Sequence, residues 1–280
     1  MNVLIVLAHP EPKSFNASLK DLAVSVLTEQ GHNVQVSDLY AMKWKAVADA
    51  EDFLDIQNGE RLSYARESKH AFVTHTQSLN IEAEQRKLLW ADAIIFQLPL
   101  WWFTMPAILK GWFERVYAYG FAYGVGKHEG ERWGDRYGEG KLMGRRAMLS
   151  VTVGGRLPQY TERGVNGSID DLLFPIHHGI LWYPGMDVLA PFIVYQADRL
   201  TKEQYETVAN DYRTRLENLF TDPTIPYRSQ NGGHYDDQQV LKPEFGVGQS
   251  GFSLHLQQPN EAVDNRPQAQ KEYELEEITN

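Results

Sequence analysis

The sequence predicts an α/β protein: a doubly wound, five-stranded parallel sheet of order 2-1-3-4-5, helices on both faces, and a C-terminal extension. Three observations carry this. Short apolar runs alternate with segments whose apolar residues recur at helical spacing, the pattern of βα units. The strands are near-continuous apolar runs, as expected when helices cover both faces. The length of 280 residues suits one large α/β domain with an addition.

The elements follow in order. "NVLIVLAH" (2–9) is the first strand. "NASLKDLAVSVLTEQG" (16–31) spaces Leu19, Leu22, Ala23, Val26 and Leu27 as a helix, with Asn16 as N-cap and Gly31 as stop. "HNVQVSDL" (32–39) is the second strand. Residues 43–80 are polar and helix-leaning, and a helix ends near Trp90. "DAIIFQLPL" (92–100) is the third strand, and residues 107–118 carry Ile108, Leu109, Trp112, Phe113 and Val116 on one helical face. "RRAMLSVTV" (145–153) and "DVLAPFIVY" (187–195) complete the sheet, and Tyr205, Val208, Tyr212, Leu216 and Leu219 mark a last helix over 201–220. The division expected is a domain over 1–221 and an extension over 222–280, partly irregular, with a polar tail composed for disorder.

The net charge of −10 argues against a nucleic-acid partner, which needs clustered Lys and Arg. No apolar run approaches the roughly 18–20 residues of a membrane span. The first strand lacks the basic flank of a signal peptide, so a cytoplasmic protein is expected. With no cysteine, thiolate catalysis and thiolate metal sites are excluded together. His128, Glu129, Glu131 and Asp135 fit no standard ligand spacing, and no metal is expected there.

In such a sheet, ligands bind beyond the carboxyl ends of the strands. Three loops lie there. "AHPEPKSFN" leads into a helix N-terminus, where free N–H groups favour an anion; Ser14 and Asn16 add polar groups, and His9 stands beside them. Equally, Asn16 serves as a cap and His9 as a hydrogen-bonded strand end. "PLWWFTMP" sets Trp101, Trp102 and Phe103 on a loop, where at most alternate rings can face a core. "TVGGRLPQYTERGVNG" brings Gly154-Gly155, whose backbone a ligand can approach closely, and Tyr160 as a donor. A flavin fits all three: phosphates on the first loop, ring against the aromatics, pyrimidine edge on the glycines.

Taken together, "LIVLAHPEPKSFN", "ADAIIFQLPLWWFTMPAILKGWFERV", "FAYG", "SVTVGG", "GVNG" and "PIHHGILWYPG" resemble the NAD(P)H:quinone reductases of the DT-diaphorase type, from residue 2 to about residue 220. The resemblance implies a flavodoxin-like fold, bound FAD with FMN as the less favoured alternative, NAD(P)H as co-substrate, and two-electron reduction of quinones, with azo or nitro compounds as further acceptors. It also implies a homodimer with sites at the subunit interface. By position, His9, Ser14, Phe15 and Asn16 fall where the family holds the FAD phosphates and ribitol. Pro99, Leu100, Trp101, Trp102 and Phe103 fall against the isoalloxazine, and Thr152, Val153, Gly154, Gly155 and Tyr160 along its pyrimidine side. Catalytic roles fall to Gly155 and Tyr160, which stabilise developing charge, and to Asn166, a hydrogen-bond donor where one branch of the family has histidine. Another branch carries Asn there and prefers unusual nicotinamide donors. Ala122, Tyr123 and Gly124 of "FAYG", with Tyr183, Trp102 and Phe103, are expected to line the substrate pocket. Trp101 and Val153 replace polar residues of relatives, and Tyr205 an arginine. His177 and His178 either contact substrate or cap the following helix, the cap being the favoured expectation. A second implied reading, from relatives that serve as ancillary subunits of potassium-efflux systems, is a flavin-binding regulatory protein.

Overall fold

β1 (Asn2–Leu7) lies between β2 (Asn33–Asp38) and β3 (Ala93–Pro99), parallel to both. β3 continues to β4 (Arg146–Val153), and β4 pairs with β5 (Asp187–Val188) and β6 (Phe192–Tyr195). The order is the expected 2-1-3-4-5, with the last position filled by a strand in two pieces. Ala147 faces Val188 and Ser150 faces Phe192, so the outer strand spends one residue more than its neighbour. That bulge contains Pro191, which has no N–H to give the ladder. The computed structural model describes residues 1–57, 59–128, 132–259 and 261. The polar tail lies outside the described residues.

Side chains alternate along each strand and so build two cores. On one face Val3 and Ile5 of β1 and Ile95 of β3 meet α1 (Phe15–Glu29) and α6 (Lys202–Glu217) through Leu19, Ala23, Val26, Leu27, Tyr212 and Leu216. On the other, Leu4, Val6, Ile94, Phe96 and Leu149 meet α3 (Leu79–Trp90), α4 (Ala107–Val116) and α5 (Ile169–Ile176). Helices on both faces leave the strand ends as the open side of the sheet. The helix spacing read at residues 16–31 is thus the buried stripe of α1, but its N-cap is Ser14, whose Oγ accepts from Ala17 N at 3.1 Å. Asn16 sits inside the first turn.

The segment after β2 is less helical than its composition suggests: α2 (Tyr64–Thr74) is joined to the rest by turns. A buried ion pair fastens it, with Arg115 Nη2 2.8 Å from Asp52 Oδ1 and Tyr64 Oη donating to Asp52 Oδ2 at 2.8 Å. Gly111 allows α4 to approach this segment, since a Cβ there would fall 1.9 Å from the Ala46 carbonyl oxygen.

His177 and His178 do not cap a helix. α5 runs on into a π-helical turn over His177–Trp182, and both rings go inward. His178 stacks on Phe174 at 4.7 Å and on Tyr137 at 4.8 Å, and Phe174 stacks in turn on Phe252 at 4.1 Å. Burial lowers His177 to about 4 and His178 to about 3, so both rings are neutral near pH 7. The stack ties the chain beyond residue 221 to the body. There, Ile225 N donates to Val188 O at 2.7 Å, and the fully buried Arg228 pairs with Glu261 at 2.6 Å.

Candidate functional site

The ends of β1 and β3 open the crevice. Ala8 N donates to Gln97 O at 3.0 Å, and just beyond, the His9 and Trp101 rings lie 5.9 Å apart. The His9 ring is held by the Glu11 backbone, with Nδ1 3.1 Å from Glu11 N and 3.3 Å from Glu11 O, which leaves Nε2 as the ring nitrogen not engaged by Glu11. The first-turn amides of α1 have no intrahelical acceptor. Asn16 is buried, and its side chain is committed inside the protein: Nδ2 donates to Thr152 Oγ1 and Oδ1 accepts from Gln97 Nε2, both at 2.8 Å. What Asn16 offers outward is its backbone N–H. Phe15 packs edge-on against Tyr205 of α6 at 5.7 Å.

The aromatic loop is a tight turn. Trp101 N donates to Thr104 O at 3.0 Å and Thr104 N to Trp101 O at 3.1 Å, with Trp102 and Phe103 between them at φ 50° and 63°. Such a two-residue turn ordinarily uses Asn-Gly; bulky residues at positive φ are strained. Trp102 is 92 % exposed, Phe103 46 % and Trp101 41 %. Side chains that gain this little burial do not explain the turn, and strain of this kind concentrates at ligand sites. Pro99 and Leu100 lie beneath, with Leu100 N donating to Thr152 O at 2.8 Å.

The loop after β4 supplies the third wall. Thr152 and Val153 are buried, Val153 within the core, so their outward contribution is backbone. Gly154 is open to solvent, its nearest neighbour to a Cβ being Asp198 Oδ1 at 3.9 Å. At Gly155 a Cβ would stand 2.8 Å from Tyr160 Cε2 and 3.1 Å from its hydroxyl, so the missing side chain is what lets Tyr160 fold over this backbone. Asn166 N donates to Gln159 O at 3.0 Å, which keeps Asn166 beside the Tyr160 turn. Along α6 a cleft of about 320 Å³ is lined by Tyr195, Gln196, Arg199, Leu200, Gln204, Thr207 and Val208.

A model of the flavodoxin-like fold matches residues 1–216. The human ribosyldihydronicotinamide dehydrogenase [quinone] is 41 % identical over 225 residues, 80 % of this chain and 94 % of that protein. The chain belongs to the flavodoxin-like quinone reductase family. A ribosyldihydronicotinamide dehydrogenase-like protein of Penicillium crustosum is 51 % identical over 267 residues, 94 % of this chain and 98 % of that one. The crystal structure of a proposed quinone reductase from Klebsiella pneumoniae shares 53 % identity and a TM-score of 0.89, covering 91 % of this chain and 99 % of that chain.

Within this quinone reductase fold the residues of "FAYG" gather elsewhere. Tyr123, Gly124 and Tyr183 line a cleft of about 200 Å³ together with Tyr119, Val125, His128, Trp133, Asp135 and Arg136. Ala122 is buried beneath it. The Tyr119 and Tyr123 rings meet edge-to-face at 5.0 Å, and burial, then the neighbouring Tyr119 and Tyr183, push the Tyr123 hydroxyl pKa up. That hydroxyl is therefore a firm donor. Sequence reasoning passed over Gln97, although a lone polar residue in "AIIFQL" is a visible signal, and over Tyr119 and Arg136. Among the described residues no helix is long and apolar enough to cross a membrane.

Proposed function

We propose that the protein is a flavin-dependent NAD(P)H:quinone oxidoreductase, reducing quinones by two-electron hydride transfer in two half-reactions, with azo and nitro compounds as further acceptors. The observation that carries this reading is the strained Trp102–Phe103 turn, exposed beside His9 at the switch point of the sheet. A bound flavin would supply the hydride-transfer chemistry between a dihydronicotinamide and the acceptor.

The residues fit such a group. His9 and the first-turn amides of α1 left open by the Ser14 cap, those of Phe15 and Asn16, would hold its phosphates. Leu100 to Phe103 would cover the ring, where aromatic pairs add on the order of 0.5–1.5 kcal/mol beyond area burial. The Gly155 N–H and the Tyr160 hydroxyl would stabilise negative charge at the pyrimidine edge. Asn166 cannot titrate, so it orients a partner and moves no proton. The cleft along α6 has room for the adenosine half of FAD, which favours FAD over FMN.

The arrangement also favours a homodimer. The cofactor loops and the Tyr123–Tyr183 cleft are two half-sites, and a second copy would bring them together. Asn166 and the names of the relatives favour dihydronicotinamide riboside among the donors. A cytoplasmic location completes the reading.

The test is direct. The purified protein, with any released flavin identified, is assayed with NADH, NADPH and dihydronicotinamide riboside against a soluble quinone, and its mass is taken by light scattering. A yellow dimeric protein holding FAD and turning over quinone is expected. A colourless protein that binds neither FAD nor FMN and oxidises no donor would overturn the proposal.

A further inference from the structure

We propose that the Tyr123–Tyr183 cleft selects an aromatic ligand bearing an anionic group, and that Arg136 reads that charge. The proposal rests on the quinone reductase reading and deepens it.

The segment 124–144, which holds seven glycines, folds back on itself beside the cleft. Gly134 N donates to Lys127 O and Asp135 N to Val125 O, both at 2.9 Å, so residues 133–136 return alongside 124–128 and wall the cleft. Two charged side chains line it. Asp135 is committed, its Oδ1 taking Arg132 Nη2 at 2.8 Å. Arg136 is held differently: Nε donates to Gln230 Oε1 at 2.6 Å and Nη2 to Gln239 Oε1 at 3.0 Å. Both partners are neutral amides. Among the described residues Nη1 has no protein acceptor and the guanidinium no carboxylate partner.

An arginine fixed by carboxylates is neutralised; one fixed by amides keeps its whole charge and is preorganised to offer it. The half-buried position strengthens a Coulomb attraction relative to water. Arg136 shares the lining of the cleft with Tyr119, Tyr123 and Tyr183, whose hydroxyls are able to donate. A cation, hydroxyl donors and aromatic rings lining one cleft suit a carboxylate, sulfonate or phosphate joined to a flat ring. Both clamping amides come from the chain beyond residue 221, and Trp133 Nε1 donates to Asp237 O at 3.1 Å. The extension is therefore part of the selecting device.

The anion has two possible sources: an acidic substituent on the acceptor, or a phosphate on the nicotinamide donor. The full flavin-loaded chain separates them. One arm compares a naphthoquinone with its ring-sulfonated analogue under a single donor. The other compares dihydronicotinamide riboside with dihydronicotinamide mononucleotide under the neutral quinone. In Arg136→Gln the charged-to-neutral ratio of kcat/KM falls about tenfold in one arm, chiefly through KM, and the arm identifies the source. Comparing ratios between wild type and variant cancels the different potentials of the two quinones. Arg136→Lys keeps part of the ratio, and raising salt from about 0.05 M to about 0.5 M narrows it in wild type. Ratios within twofold of wild type in both arms overturn the proposal. Should Arg136→Gln fail to fold, a wild-type ratio indifferent to salt overturns it equally.

If wild type reduces no quinone, the enzymatic reading fails by itself. Binding of naphthalene sulfonate against uncharged naphthol, followed by tryptophan fluorescence in wild type and Arg136→Lys, then still decides whether Arg136 reads charge.

Discussion

Gln97 Nε2 donates to Asn16 Oδ1 at 2.8 Å, joining the centre of the sheet to the first turn of α1. Asn16 Nδ2 passes the link on to Thr152 Oγ1 on β4. The helix N-terminus is thus fixed to the two strands whose ends carry the other loops of the site. Truncation, Asn16→Ala, strands two buried polar groups at once. A loss of about 1–3 kcal/mol is expected, read from urea unfolding, together with weaker flavin retention. Retention equal to wild type in a destabilised variant would reduce the link to a structural one.

The Trp102 turn separates ligand binding from stability. Left-handed backbone costs a non-glycine residue roughly 1–2 kcal/mol, whereas glycine loses about 0.5–1 kcal/mol through the unfolded chain. Trp102, exposed as it is, has little packing to lose. Trp102→Gly is therefore expected to unfold at the wild-type denaturant concentration or slightly above it, and to release flavin more readily. A large loss of stability instead would make the ring a packing residue.

The sheet was legible because its information is local. Apolar runs at 2–9, 92–100 and 145–153 became β1, β3 and β4, and Leu19, Ala23, Val26 and Leu27 became a buried stripe. The last strand, read as continuous over 187–195, is instead two pieces, because Pro191 cannot give the ladder an N–H. The three loops followed from the rule for doubly wound sheets. What local pattern does not hold is partnership at a distance: Asn16 reads as a cap, but its amide finds Gln97 and Thr152, far along the chain. For the same reason nothing local to Arg136 points to its partners Gln230 and Gln239, which lie 94 and 103 residues beyond it.

The buried histidines set an acid limit. Burial holds His177 near 4 and His178 near 3 in the folded protein, well below the ordinary value in the unfolded chain. The folded form thus binds fewer protons, and the stability associated with neutral rings is present above about pH 6.5 and lost as pH falls toward 4. Each histidine contributes a slope of about 1.4 kcal/mol per pH unit in that window. His178→Phe preserves a ring between Phe174 and Tyr137 while removing the proton site. Urea unfolding of this variant at a series of pH values is expected to show an acid limb flatter by about one proton. An unchanged slope would mean that His178 titrates alike in both states.

Gly154 and Gly155 are adjacent yet should respond oppositely to a methyl group. At Gly154 a Cβ meets nothing closer than 3.9 Å, so Gly154→Ala is expected to unfold within about 0.5 kcal/mol of wild type. At Gly155 the Cβ would press on the Tyr160 ring at 2.8 Å and on Gln159 Oε1 at 3.0 Å. Gln159 Oε1 also accepts from Arg156 N at 2.8 Å, so the turn cannot give way without losing a hydrogen bond. Tyr160 must therefore move. If its hydroxyl stabilises charge at the pyrimidine edge, Tyr160→Phe slows flavin reduction by about ten- to a hundredfold in stopped-flow. Gly155→Ala should reproduce much of that loss with the tyrosine still present. Combined, the two should cost less than the sum of the singles, because both act on one contact. Additive losses would separate the Gly155 N–H from the Tyr160 hydroxyl as two independent donors.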